Sequence, residues 1–277
     1  MRLYSISVGG TSTALLYYVV NSPLINYYMD KLLKTGRIMF ATGILALSVL
    51  CFIYGDFIIG RPPAWPAKFT LNPALGYASA TLLVIAGLAI LLKNRAGLAA
   101  LLVATLILVL SVLRHVPHFM DDWVNAYKAM ALFGGALIIA ASFFREDDHI
   151  TPQLRVSESW RKRFVVAGTI LLSVFLIACG FAHFKWAQGV QNLVPGYIPF
   201  HLFWTYFAGV CLIAGGAGIL IPKTKRWAAL LSGIMILCWF LLLHIPALLA
   251  NPTDPSNRMG VCESFIFSGV LFVLALY

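Results

Sequence analysis

Uncharged stretches long enough to cross a membrane dominate this sequence and constrain its fold more than any other feature. A helix needs about 20 mostly apolar residues to cross the hydrocarbon core of a bilayer. Hydrophobic residues make up 61% of the 277 residues and charged residues only 11%, so a soluble fold could not cover this apolar surface. The sequence therefore predicts an all-α, polytopic membrane protein. The uncharged stretches are 38–55, 69–92, 96–113, 129–144, 164–184, 186–222 and 227–253.

These stretches and the C-terminal segment predict eight transmembrane helices. The longest stretch contains Pro195, Gly196 and Pro199 ahead of its apolar run, so we predict a loop followed by a helix there. The last helix is short and carries Glu263 within its length. The predicted helices are 37–57, 73–92, 96–115, 124–144, 163–183, 200–221, 227–248 and 259–277.

The basic residues are distributed unequally between the two sides of this eight-helix topology. Fourteen of the 20 fall on one side and six on the other, and the side rich in Lys and Arg is normally cytoplasmic. We therefore predict a multi-pass protein of a bacterial-type inner membrane with both termini in the cytoplasm. Because these charges are spread over many loops, we expect no nucleic-acid partner. The six residues on the outer side are Arg61, Lys68, Arg114, Lys128, Lys185 and Arg258.

The N-terminal segment, residues 1–36, has two interpretations. Met29 stands directly before a charged stretch and is a candidate true start of the chain. Alternatively, the moderately apolar residues before it form a helix that lies on the membrane surface. No cleavable signal peptide is evident, because Arg2 is the only basic residue before Lys31 and no typical cleavage site follows.

An internal repeat divides the rest of the chain into two four-helix halves, 37–144 and 163–277, joined by a cytoplasmic linker at 145–162. Residues 85–91 (IAGLAIL) match 213–219 (IAGGAGI), at an offset of 128. After the following turn the offset is 129, and the next helices end in His115-Val116-Pro117 and His244-Ile245-Pro246. Since four helices return the chain to its starting side, we predict parallel repeats related by an axis along the membrane normal.

Most ionisable side chains other than Lys and Arg fall near the outer ends of the predicted helices. Such groups are costly in lipid, so they usually face a bundle interior or a water-filled cavity. We therefore predict that any functional site lies in the outer half, with Glu263 facing inward and His244 or Arg258 as its partner. The candidate ligand-binding residues are Asp56, His115, His183, His201, His244 and Glu263.

The repeated histidines His115 and His244 leave more than one interpretation open. Each could cap a helix end at the interface, with the following proline stopping the helix. Together they could instead form a polar pocket that binds a quinone head group or shuttles protons. A haem or metal site is the third interpretation, but the histidines and the five cysteines show no metal-type spacing. The proline-rich loops near them are either interfacial anchors or ligand lids.

The helix-end motifs of both halves are similar to those of the DoxX-like family of four-helix membrane proteins. In the second half they are 180–184 (GFAHF), 194–199 (VPGYIP) and His244-Ile245-Pro246, and in the first half 55–57 (GDF), 64–66 (AWP), 93–95 (KNR) and His115-Val116-Pro117. The resemblance implies the four-helix fold, present twice here where the family usually has a single unit. It also implies a link to quinone-dependent oxidoreduction, because the family takes its name from a small subunit of a quinol oxidase.

These features favour a non-catalytic or accessory membrane component of a quinone-linked respiratory or redox system. Its expected partners are the lipid bilayer and another membrane or redox protein, and quinone is the one cofactor the resemblance suggests. The alternative is a transporter of a small solute, motivated by the tandem halves. A membrane enzyme using His115, His244 and Glu263 in acid–base chemistry is the third hypothesis, but no nucleophile motif or cofactor loop supports it.

Overall fold

The computed structural model describes residues 23–65, 73–144 and 156–277, and within these ranges the chain is helical without any β-strand. Eight helices in these ranges are long and apolar enough to cross a membrane, which confirms the predicted number. The parts of the predicted N-terminal segment and linker at 1–22 and 145–155 lie outside the described residues. The helices are α1 Pro23–Tyr54, α2 Pro73–Leu91, α3 Ala96–His115, α4 Trp123–Phe144, α5 Glu158–Lys185, α6 His201–Leu220, α7 Lys225–Ala250 and α8 Pro255–Leu274.

Helix α1 begins well before the predicted position 37. Its first turns carry exposed Lys31, and Met29 lies inside the helix. Charges at the end of a membrane helix can remain in water while the backbone continues its hydrogen-bonded ladder, so the charged stretch did not mark the helix start. Arg37 is instead buried in the bundle, where its Nε donates to Ser142 Oγ of α4 at 2.9 Å.

Helix α7 contains one wider turn, a π-helical segment at Phe240–His244. Pro246 follows two residues later and has no backbone N–H to donate to the preceding turn. Single π turns inside α-helices are frequent at functional sites because they redirect side chains. In this helix the wider turn ends at His244, one of the candidate site residues.

The two halves have the same order of helix contacts. Helices α1, α2, α3 and α4 pack in sequence, as do α5, α6, α7 and α8. Across the halves, α4 packs against α5, α8 packs against α1, and α4 also contacts α8. The last helix of each half thus lies against the first helix of the other half. Helices α4 and α8 are therefore the central helices, and their apolar segments are the most buried of the eight.

Glycines allow close backbone contact at both of these interfaces. At α1–α8, a Cβ added to Gly36 would lie 2.5 Å from the carbonyl oxygen of Gly269. At α4–α5, a Cβ added to Gly168 would overlap the carbonyl oxygen of Gly134. Small residues let helices approach closely where lipid provides no hydrophobic drive between them. A glycine-to-glycine contact therefore joins the halves at each of the two interfaces.

Candidate functional site

Glu263 lies deep within α8 and is paired with two basic side chains. It is the ninth residue of the helix, about 12 Å from its start at 1.5 Å per residue, and is only 4% exposed. Its Oε2 lies 3.4 Å from Arg61 Nε and 3.4 Å from Lys128 Nζ. The predicted partner Arg258 points elsewhere, since its Nε donates to the carbonyl oxygen of Pro252 at 2.7 Å.

Arg61 reaches Glu263 from the loop at residues 55–65, which belongs to the first half. Gly60 and Arg61 both have left-handed backbone conformations, with φ of 80° and 54°. Gly60 also packs tightly on α4, because an added Cβ would lie 2.8 Å from the Cβ of Ala129. This turn directs the guanidinium toward α8, where its Nη2 also donates to the carbonyl oxygen of Ser256 at 2.9 Å. The loop therefore connects the two halves at the end of the bundle where α1 ends and α8 begins, hereafter the outer end.

The start of this loop is held by Asp56, one of the predicted site residues. Its Oδ2 pairs with Arg114 Nη1 of α3 at 2.9 Å, and its Oδ1 accepts a hydrogen bond from Trp65 Nε1 at 3.0 Å. The Arg114 guanidinium also lies over the Trp65 ring, 4.6 Å from its centroid. Phe57 and Ile59, between these contacts, are fully buried. The loop is thus folded into the bundle, and Asp56 has a structural partner of its own.

Lys128 of α4 connects Glu263 to a second polar chain at the outer end. Its Nζ donates to Asn125 Oδ1 at 3.0 Å, and Asn125 Nδ2 donates to Asp122 Oδ1 at 2.9 Å. His115 at the end of α3 lies in the electrostatic field of Lys128 and is 4% exposed. Neither imidazole nitrogen of His115 has a hydrogen-bond partner among the described residues.

His244 completes this group of side chains from α7. A Cβ added to Gly260 of α8 would lie 2.9 Å from His244 Nδ1 and 3.2 Å from Arg61 Nη2, so both groups lie against this glycine. The outer polar cluster, as we name it, comprises Arg61, His115, Lys128, His244 and Glu263. With neutral imidazoles it carries two positive charges and one negative charge. It draws side chains from both halves of the chain.

The other two predicted residues lie apart from the outer polar cluster. His183 Nδ1 lies 2.8 Å from the carbonyl oxygen of Cys179, and its ring stacks on Trp239. His201 is the first residue of α6 and is partly exposed. Within the described ranges, no hydrogen bond or ion pair joins either histidine to the outer polar cluster.

Arg61 and Lys128 were not predicted as site residues. Both were counted only as basic residues of the outer side, because a lysine or arginine near a helix end normally extends to the interface. Lys128 lies six residues into α4 and its side chain is only 14% exposed. The position of Lys128 this far inside an apolar helix was the one sequence signal for its role, since a cation there needs a partner within the bundle.

An apolar groove lies between α4 and α5 at the outer end of the bundle. It has a volume of about 590 Å³, and the rings of Trp123 and Trp186 stack at its edge with centroids 5.5 Å apart. Tyr127 of α4 and Ala178 of α5 line it, and Lys128 of the outer polar cluster is the residue that follows Tyr127. The lateral groove is lined by Phe119, Met120, Trp123, Tyr127, Val174, Ile177, Ala178 and Phe181.

The described residues contain no group of three or more His, Cys, Asp or Glu side chains placed to hold a metal ion together. The five cysteines are free thiols, each on a different helix. The polar side chains of the outer end can bind, orient or exchange protons with a ligand.

Comparison with known proteins identifies one family by its model. Residues 172–263, from the middle of α5 to Glu263, match the family described as Domain of unknown function (DUF8561). The match includes α6, α7 and His244. No curated protein and no solved structure shows significant similarity to the chain.

Proposed function

We propose that the protein binds a lipid-soluble quinone in the lateral groove, as a non-catalytic component of a quinone-linked redox system in the cell membrane. The observation that carries this proposal is an aromatic, outward-open groove at the same end of the bundle as the outer polar cluster. The resemblance to the DoxX-like family points to the same ligand class. An accessory role is favoured because the DoxX-like family takes its name from a small subunit of a quinol oxidase.

The chemistry of a quinone matches the lining of the groove. A quinone has a flat, polarised ring and an isoprenoid tail, so it needs a stacking surface that opens to the hydrocarbon region. Trp123 and Tyr127 present ring faces and edges, and stacked or edge-on aromatic contacts contribute about 0.5–1.5 kcal/mol each beyond area burial. Exposed Phe119 and Phe181 leave the groove open on its outer face, where a tail could extend into lipid.

Filling the groove should weaken quinone binding. We expect Val174→Trp to weaken binding of a short-chain ubiquinone analogue at least about tenfold, a loss of about 1.4 kcal/mol. The reason is that the new indole would occupy the part of the lateral groove proposed to hold the quinone ring. Binding is measured by quenching of tryptophan fluorescence in mild detergent, and lipids that co-purify with the parent protein are identified by mass spectrometry. Val166→Trp, on the exposed face of the same helix, is the matched control. Equal quenching in both variants would refute the groove as the quinone site.

We also propose that the two halves are parallel repeats with both termini in the cytoplasm. The common order of helix contacts and the paired glycine interfaces support the repeat, and the 14 to 6 division of basic residues supports the orientation. Single cysteines placed at 93 and 225 are expected to react with an impermeant thiol reagent only after the membrane is opened. Labelling of either position in intact cells would contradict this orientation.

One observation favours transport of a small solute as a second function. Glu263 lies about 12 Å into α8, where both halves contribute side chains, and transporter sites lie at such repeat interfaces near the membrane midplane. Solute-driven current across planar bilayers that contain the purified protein, lost in Glu263→Gln, would support transport. The absence of any such current would favour the accessory role.

A further inference from the structure

We propose that the outer polar cluster is a binding site for a small monovalent oxyanion, held between Arg61 and Lys128. The site is distinct from the lateral groove, and its ligand class differs from a quinone. It lies beneath the loop at 55–65 and is formed jointly by that loop, α3, α4, α7 and α8.

The balance of buried charge is the first reason. Arg61 and Lys128 share a single carboxylate, Glu263, whereas Arg114 has its own partner in Asp56. Among the other charged groups near these side chains, Asp122 contacts Lys128 only through Asn125 and is partly exposed. The Lys128 side chain is 14% exposed and that of Arg61 29%, so Lys128 is the more buried cation, and a buried ion without a full counter-charge costs several kcal/mol. An anion beside the two cations would offset that cost.

The distances within the cluster are the second reason. Charge-assisted hydrogen bonds between nitrogen and oxygen are about 2.7–2.9 Å long, whereas both cations lie 3.4 Å from the same Glu263 oxygen. Arg61 Nε makes no hydrogen bond to any described residue. Lys128 has three protons, and Asn125 accepts only one of them. Both cations therefore retain donor capacity for a further acceptor.

The groups around the cations indicate what kind of anion fits. Gly260 has no side chain, and a Cβ there would lie within 3.2 Å of Arg61 Nη2. Both His115 nitrogens and Glu263 Oε1 are buried and have no hydrogen-bond partner among the described residues. A planar oxyanion places two acceptor oxygens against the guanidinium fork and the ammonium group. One that also carries a hydroxyl, such as bicarbonate, can donate a hydrogen bond to the free carboxylate oxygen.

Thermal unfolding in mild detergent tests this site with bicarbonate as the probe. At constant pH and ionic strength, replacing the bulky anion gluconate by bicarbonate should raise the unfolding temperature of the parent protein to a plateau, because ligand binding stabilises only the folded state. If gluconate raised the unfolding temperature as much as the same concentration of bicarbonate does, the proposal would be overturned. An unfolding temperature that kept rising with bicarbonate, without a plateau, would also overturn it.

Two substitutions should shift the bicarbonate affinity in opposite directions. Lys128→Met removes one cation and should weaken binding at least about tenfold, or about 1.4 kcal/mol. Glu263→Gln removes the competing negative charge but keeps an oxygen that can accept from the bicarbonate hydroxyl, and it should tighten binding by a similar factor. If Lys128→Met does not fold, Glu263→Gln still tests the site. Parent-like affinity in Glu263→Gln would overturn the proposal.

Two controls separate this site from other effects. Lys185→Gln removes an exposed lysine of the outer end, one that lies over the rings of Trp123 and Trp186, and should bind bicarbonate as the parent does. Val174→Trp blocks the lateral groove and should leave the bicarbonate response unchanged. Quinone binding and oxyanion binding can therefore fail independently. Loss of the bicarbonate response in Lys185→Gln would show a general surface effect and refute the site.

Discussion

We expect Glu263→Leu to lose about 3–5 kcal/mol of its free energy of unfolding, the typical cost of removing one partner of a buried ion pair. The carboxylate is 4% exposed and is the common partner of Arg61 and Lys128. Without it, buried Lys128 and partly exposed Arg61 lose their common counter-charge, so the desolvation of Lys128 is no longer offset. Reversible unfolding in mixed micelles measures the difference from the parent.

A second substitution should restore much of the lost stability. In the double variant Lys128→Met/Glu263→Leu the ion pair becomes an apolar contact, a replacement that is often neutral or stabilising in buried positions. The matched control is Glu158→Leu, which breaks the exposed pair with Lys162 and should leave the unfolding curve unchanged. If Glu263→Leu unfolded like the parent, the carboxylate would not be the electrostatic centre of the cluster.

Gly168→Val should separate the two halves at the α4–α5 interface and cost about 3 kcal/mol, the upper part of the range for overpacked sites. A Cβ at this position overlaps the backbone of Gly134 and lies 2.6 Å from Ile138 Cγ1. A side chain can rotate away from such a contact, but the backbone oxygen cannot move without displacing α4. The loss is expected even though valine favours a helix more than glycine does.

The control for this effect is Gly196→Val, because an added Cβ there meets no atom within 4 Å. This position lies in the loop before α6, so the same chemical change is made without a helix contact. Unfolding temperatures and elution volumes in detergent distinguish the two variants. Equal stability of the two variants would mean that α4 and α5 are free to move apart, and that the glycine contact does not join the halves.

The eight helices could be predicted from sequence because each depends on the length of one local apolar stretch. The same local reasoning placed the start of α1 at 37, whereas the helix begins at Pro23. It also counted Arg37 among the basic residues of the cytoplasmic side, at the very start of the helix, although this side chain is buried against Ser142. Whether a charged residue ends a helix depends on what lies beside it, and that neighbour is distant in the chain.

Sequence by itself determined that Glu263 lies within the last helix, because helix position follows from hydropathy along the chain. Only the tertiary structure decided its partners, since Arg61 and Lys128 are 202 and 135 residues away in sequence. The left-handed turn at Gly60 and Arg61 brings the loop of one half to a helix of the other. No periodic pattern encodes that contact, because it depends on how α1, α4 and α8 pack together.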